Sequence, residues 1–129
     1  MLGDEGESHA LRLAAERWSE PVSSLVAEIE LSRAVGRATH AGRRRLDAKQ
    51  RVRLRQQAAA VLSRITLLAL DERVVALAGS IQPISLRPLD AIHLATALSV
   101  RPIEALVAYD HRLTEAAKTH GLNVLAPAP

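Results

Sequence analysis

Residues 86–113 restrict the possible folds of this chain more than any other stretch. Pro88 suits the first turn of a helix, and the apolar run that follows it contains a single carboxylate, Asp90. A second apolar run at residues 105–109 ends at Asp110, where the pattern predicts the start of another helix. Ligands of open α/β sheets gather at the carboxyl ends of strands, so Asp110 lies at a position that favours chemistry.

The rest of the chain alternates between short apolar runs and longer amphipathic segments. This alternation predicts an α/β fold with a parallel sheet and helices on both of its faces. Asp71 is the predicted N-cap of one helix, and Gly121 is the predicted residue after the end of another. The predicted helices cover residues 8–18, 25–39, 46–64, 71–78, 88 onward and 111–120, and the predicted strands cover residues 21–24, 65–70, 105–109 and 122–125.

Length and composition favour one domain that spans residues 1–129. The chain has 129 residues, of which 48% are hydrophobic, enough for a single core. It has no Cys, which excludes disulfides and thiolate zinc sites. No apolar run approaches the roughly 18 residues that span a bilayer, and the acidic N-terminus lacks a signal-peptide pattern. We therefore expect a cytoplasmic protein that does not contact a membrane.

The formal net charge of +3 is weak evidence for a polyanionic partner, but the charges are unevenly placed. Seven basic residues lie between Arg43 and Arg55, with Asp47 as the single acid among them. Such a cluster can meet phosphates or an acidic protein, although a solvated helix face is the commoner reason for it. Because Trp18 and Tyr109 are the only large aromatic residues, an array of base-stacking side chains is nearly excluded.

Carboxylates are the main candidates for chemistry in this chain. Hydrolysis of a phosphodiester is aided by metal ions that activate water and offset charge, and Mg²⁺ prefers carboxylate and water oxygens. The candidate ligands are Asp90, Asp110 and one of Glu28 and Glu30. The last two are about 200° apart around a helix, so only one of them can face a shared site.

Two stretches carry a resemblance to a known family. Residues 24–35 consist of a Ser, a few apolar residues, an acid and a hydrophobic continuation, and residues 86–113 contain the two Asp-bearing segments. Together they closely resemble PIN-domain ribonucleases of the VapC toxin type, and the similarity extends over nearly the whole chain. The resemblance selects Glu30 rather than Glu28, and it matches Asp90 and Asp110 with the third and fourth acids of the family.

The resemblance implies a PIN-like three-layer α/β/α fold and an endoribonuclease that depends on Mg²⁺ or Mn²⁺. Glu30, Asp90 and Asp110 would be both catalytic residues and metal ligands. Apart from the resemblance, Arg87 is a candidate for binding substrate, either by steering an RNA phosphate toward the acids or by orienting Asp90. The implied partners are RNA, a small VapB-type antitoxin and a second copy of the chain. The alternative is a catalytically inactive PIN-like protein that binds an antitoxin or serves as a dimerisation module.

One part of the family pattern has no match in this sequence. Members normally begin with a hydrophobic strand that ends in the first catalytic Asp, and this strand is central in the sheet, between the strands predicted at residues 21–24 and 105–109. Asp4 follows no such strand and is a poor substitute. Three explanations are open for the missing strand. In order of preference they are a start codon assigned too late, a truncated chain, and a sheet that rearranges or borrows a strand. Ala108 also replaces the Ser or Thr of many relatives.

Two expectations about the site follow from the resemblance. The side-chain oxygens of Glu30, Asp90 and Asp110 should converge within about 10 Å at the carboxyl end of the sheet, where parallel strands place their ligands. Acids crowded together without a cation repel one another, so the pKa of at least one of the three should be raised.

Overall fold

A computed structural model of the protein describes residues 20–40 and 46–127. These residues fall into two compact units, residues 20–68 and residues 69–127, and each unit is described by itself. The predicted helix at residues 8–18 lies outside the described residues, as does Asp4. The expectation that the first strand of the family is missing also concerns that part of the chain.

The first unit is built from two short parallel strands and the two helices that connect them. The first strand ends at buried Ser24, whose Oγ accepts a hydrogen bond from the Val26 backbone N–H at 3.3 Å as the first helix begins. The two strands pair in register, with Val22 opposite Thr66. The elements of this unit are β1 (Val22–Ser24), α1 (Val26–His40), α2 (Ala48–Ser63) and β2 (Thr66–Leu68).

A capping box fixes the start of α2. The Gln50 N–H donates to Asp47 Oδ1 at 2.8 Å, and the Asp47 N–H donates to Gln50 Oε1 at 2.9 Å. This reciprocal pair satisfies two backbone donors that an isolated helix leaves unpaired. The helix contacts α1, yet none of its residues is fully buried. Its half-buried residues form one stripe, Arg51, Leu54, Ala58 and Leu62.

The second unit contains a helical core and a second pair of strands. Its central helix buries Leu94 and Ala95 completely and contacts the helices before and after it. Alanines line these helices where they meet, which lets the backbones approach closely. The elements of this unit are α3 (Glu72–Ser80), α4 (Pro88–Ser99), β3 (Leu106–Val107), α5 (His111–Thr119) and β4 (Val124–Leu125).

A tight turn after α5 brings the chain back to pair with β3. Gly121 has φ +83°, a left-handed conformation in which a side chain is strained. Its N–H donates to the Lys118 carbonyl at 2.9 Å, and the Arg101 guanidinium donates to the carbonyl of His120. These hydrogen bonds satisfy backbone carbonyls at the end of α5. The strand that follows, β4, then pairs in parallel with β3.

The α/β architecture predicted from the sequence is confirmed, with shorter strands than the apolar runs suggested. The strand predicted at residues 65–70 has three residues, and that predicted at residues 105–109 has two. Helix caps set these limits, because Asp71 and Asp110 each begin a helix soon after the strand ends. The four described strands form two separate pairs, β1 with β2 and β3 with β4, where the alternation predicts one sheet.

The single domain over residues 1–129 stays a prediction. Within the parts of the chain that the structure describes, no helix is long and apolar enough to cross a bilayer.

Candidate active site

Asp90 is fixed at the start of α4. Arg87 is the N-cap in an extended conformation, Pro88 occupies the first turn, and the Ala91 N–H donates to the Arg87 carbonyl at 2.8 Å. The Asp90 residue is half-buried in this first turn. Because the first turn of a helix carries partial positive charge, a carboxylate is favoured there. Asp90 is thus placed at a position of the helix that suits an acid.

Asp110 is positioned by a strand on one side and a helix on the other. The Ala108 N–H donates to the Leu125 carbonyl at 3.1 Å, which is the last ladder bond of the β3 and β4 pair. Two residues later Asp110 caps α5, and its Oδ1 accepts from the Leu113 N–H at 3.0 Å. The exposed carboxylate therefore lies just beyond the carboxyl end of a parallel strand, as the sequence predicts.

The surroundings of Asp110 favour its ionised form. The hydrogen bond from the Leu113 N–H is the main cause that lowers the pKa of this carboxyl below its usual value, against a raising effect of slight burial. The Arg112 N–H and the charges of Arg87 and Arg112 lower the pKa of Asp110 further. The expectation that the pKa of at least one of the three acids is raised is therefore not met at Asp110, and it stays a prediction for the site as a whole.

The charge of Arg87 acts on Asp110, a relation that the sequence pattern does not state. Arg87 lies at the N-terminus of α4, close enough to act on a carboxylate at the N-terminus of α5. The two helix starts of the second unit are therefore neighbours. Asp90 lies one turn beyond Arg87 on the same helix, so the second unit provides two carboxylates and a guanidinium in this region.

Tyr109 anchors the chain directly before Asp110, a role that sequence reasoning missed. Its hydroxyl donates to the Pro127 carbonyl at 2.5 Å. This bond ties residue 127 to the loop that carries the candidate ligand. The signal available in the sequence was that Tyr109 is the only tyrosine of the chain.

Glu30 belongs to the first unit, on α1. It is half-buried there, whereas Glu28 in the first turn of the same helix is exposed. This difference agrees with their expected separation around the helix. Among the described residues, no group of three or more His, Asp or Glu side chains is arranged to hold a metal ion. The carboxylates of Asp90 and Asp110 are nevertheless the hard oxygen donors that Mg²⁺ prefers, and Mg²⁺ often binds through one or two carboxylates with water and phosphate.

Comparison with known proteins establishes the family. The sequence profile described as PIN domain matches residues 1–119. This chain belongs to the PIN domain family. Its relatives include three proteins of Mycobacterium tuberculosis, which are Ribonuclease VapC46 (strain ATCC 25618 / H37Rv), Ribonuclease VapC35 (strain CDC 1551 / Oshkosh) and Ribonuclease VapC47 (strain CDC 1551 / Oshkosh).

These relatives match this PIN domain over most of its length. VapC46 is 40% identical over 125 residues, which cover 96% of this chain and 87% of that protein. VapC35 is 38% identical over 114 residues, 86% of this chain and 73% of that protein. VapC47 is 34% identical over 132 residues, 98% of this chain and 89% of that protein. The recognition of a VapC-type PIN domain from residues 24–35 and 86–113 is confirmed. No solved structure gives a significant match to the chain.

The capping role of Asp110 can be separated from its charge by two substitutions. Asp110→Ala removes the acceptor for the Leu113 N–H, and we expect the free energy of unfolding to fall by about 1 kcal/mol. Asp110→Asn should change it by only a few tenths, because Asn caps as well as Asp. Urea unfolding followed by circular dichroism measures both effects, and equal losses in the two variants would contradict the capping assignment.

The Asp110→Ala variant also tests the lowered pKa of Asp110. Since the pKa of Asp110 is lower in the folded state than in the unfolded state, its ionisation stabilises the fold above the unfolded pKa of about 3.9. That contribution is lost as the pH falls through the folded pKa. The stability difference between the unmodified protein and Asp110→Ala should therefore be constant near neutral pH and narrow in acid.

Proposed function

We propose that this PIN domain is a metal-dependent endoribonuclease toxin of a VapBC-type toxin–antitoxin pair. The observation that carries the proposal is the position of Asp110, which lies beyond the end of β3, is held ionised by the Leu113 N–H and is close to Arg87. Relatives named as VapC ribonucleases, at 34% to 40% identity, support the same activity. The substrate is RNA, and the reaction is hydrolysis of a phosphodiester.

Each residue of the proposed site has a distinct task. Asp90, Asp110 and Glu30 are the metal ligands, and their carboxylates suit Mg²⁺ or Mn²⁺. When bound, such an ion activates water for attack at phosphorus and offsets the charge that develops on the phosphate. The α5 amides hold Asp110 as an anion at neutral pH, the state that a metal ligand requires. Arg87 presents a guanidinium that attracts an RNA phosphate toward this region.

The proposal also includes the partners and the compartment of the protein. The antitoxin is a small VapB-type protein that covers the active site, the chain pairs with a second copy of itself, and both act in the cytoplasm. The competing possibility is a catalytically inactive PIN-like protein that binds the antitoxin or mediates dimerisation.

RNA cleavage under controlled metal conditions tests the proposed function. The purified chain is incubated in excess over a labelled single-stranded RNA with Mg²⁺, with Mn²⁺ and with EDTA. We expect fragments with either metal and intact RNA in EDTA, because the attacking water depends on the ion. Cleavage that persists in EDTA would indicate a different nuclease chemistry. Intact RNA under all conditions would favour the inactive binding protein.

A further inference from the structure

Helix α2 carries a charge pattern that the proposed active site does not explain. Its sequence from Ala48 to Ser63 contains four cations and no acid. Arg43, Arg44 and Arg45, the other basic residues of the cluster, lie outside the described residues. The cations of the helix itself are Lys49, Arg51, Arg53 and Arg55.

Two of these cations form an exposed face, which we call the basic face of α2. Lys49 and Arg53 are four residues apart, which places them on the same side of the helix about 6 Å apart along its axis. Both residues are exposed, and neither makes an ion pair within the described parts of the chain. The basic face lies away from the half-buried stripe of α2. It borders an open depression lined by Ala48, Lys49, Val52, Arg53 and Gln56.

The placement of the charges does not serve the stability of the helix. Cations are favoured near a helix C-terminus and disfavoured near its N-terminus. Lys49 is the second residue of α2, no acid occupies the first turn, and no base occupies the last turn. Lys49 lies in the first turn and Arg53 one turn further along, so these two exposed cations create a local positive field that the N-cap carboxylate of Asp47 offsets only in part. This arrangement indicates a ligand that carries negative charge.

The composition of the basic face distinguishes between an RNA and a protein ligand. Protein interfaces centre on buried aromatic and large apolar anchors. The basic face offers only Val52, which is 51% exposed, beside amide and alanine side chains. Contacts to a sugar–phosphate backbone are instead made by Lys, Arg and Gln side chains and need no apolar anchor. Helix α2 has no aromatic residue, so it offers no aromatic platform for base stacking.

We infer that the basic face of α2 binds the phosphate backbone of the RNA substrate, through Lys49 and Arg53. This inference rests on the proposed function and extends it to a binding surface on the first unit. The contact is independent of nucleotide sequence, because phosphates carry no sequence information. It contributes affinity for RNA, while the chemistry is assigned to residues elsewhere in the chain.

A double variant with a matched control tests the inference by binding in EDTA, where no cleavage occurs. Lys49→Gln with Arg53→Gln removes the two cations of the basic face. Arg73→Gln with Lys118→Gln removes two exposed cations from α3 and α5 and leaves the same net charge. Fluorescence anisotropy of a labelled single-stranded RNA gives the dissociation constant over a range of salt concentrations. Circular dichroism melts confirm that all the proteins are folded.

The basic-face variant should bind RNA on the order of tenfold more weakly at low salt. The slope of log K against log salt should become shallower by about 1.4, since each phosphate contact on a single strand contributes about 0.7. The control should match the unmodified protein in affinity and slope. In Mg²⁺, the basic-face variant should cleave slowly at low protein concentration and recover at saturating concentration.

Binding and cleavage distinguish failure of this inference from failure of the proposed function. A basic-face variant that binds RNA with unchanged affinity and salt slope would overturn the inference, whatever its cleavage rate. Equal weakening in the variant and the control would also overturn it, because the effect would then be one of net charge. Loss of antitoxin binding with unchanged RNA binding would assign the face to an acidic protein segment. Absence of cleavage in the unmodified protein would contradict the proposed function alone.

Discussion

Replacing Asp90 by Asn should abolish most RNA cleavage. We expect the cleavage rate in Mg²⁺ to fall by at least about 100-fold. The amide has nearly the same size as the carboxylate, and the half-buried first turn of α4 can hold it without repacking. It lacks the negative charge that holds a divalent cation. The helix should remain folded, because Pro88 still begins it and the favourable interaction of a first-turn carboxylate with the helix dipole contributes about 0.3–1 kcal/mol.

Two glutamates on α1 provide the matched comparison for this prediction. Glu30→Gln should lower the cleavage rate as Asp90→Asn does, whereas Glu28→Gln should leave the rate unchanged. Both substitutions remove one charge from the same helix, and they differ in which side of the helix they alter. Single-turnover cleavage in Mg²⁺, with thermal melts of each protein, measures the contrast. Equal rates for Glu28→Gln and Glu30→Gln would remove Glu30 from the site, and full activity of Asp90→Asn would refute the metal site itself.

Local signals in the sequence predicted most of the described elements. Asp71 begins a helix as a capping residue, Pro88 lies in the first turn of α4, and Gly121 follows the end of α5, each as predicted. These signals depend on interactions between residues three or four positions apart, so the sequence contains all the information that they need. The predicted position of Asp110 between a strand and a helix is of the same kind.

Interactions between distant residues could not be predicted in this way. The approach of Arg87 to Asp110 depends on how α4 packs against α5, and the bond from Tyr109 to Pro127 depends on where the chain runs after β4. The lowered pKa of Asp110 likewise depends on the folded surroundings, mainly the hydrogen bond from the Leu113 N–H and also the charge of Arg87. A motif identifies the acids, but packing determines their electrostatic surroundings.

The lengths of the strands could not be predicted from the sequence either. Apolar runs at residues 65–70 and 105–109 predicted strands of five or six residues, yet only two or three in each run are in a ladder. Ala108, which lies beyond the two residues of β3, is buried in the core of the second unit and adds one backbone hydrogen bond, to the Leu125 carbonyl. Hydrophobicity reports burial, whereas strand length depends on the neighbour that supplies hydrogen bonds.

The largest loss of stability is expected from Leu94→Ala in α4. Leu94 is fully buried within a cluster that includes Leu113, Ala116 and Ala117 of α5. Removing its side chain forfeits the burial of the lost atoms and leaves a cavity that helices packed through alanines cannot easily close. We expect the free energy of unfolding to fall by about 3–5 kcal/mol, a large fraction of the roughly 5–15 kcal/mol of a typical domain.

Leu89→Ala is the matched control, because it makes the same chemical change on the same helix at a side chain that is 47% exposed. Its effect should stay within about 1 kcal/mol, since little burial is lost and Ala is the better helix former. Urea unfolding followed by circular dichroism compares the two, and Leu94→Met, which conserves volume, keeps the test informative if the alanine variant does not fold. Similar losses at the two positions would show that the contact between α4 and α5 does not form the core. A selective loss at Leu94 would show that the buried cluster around α4 holds the second unit together.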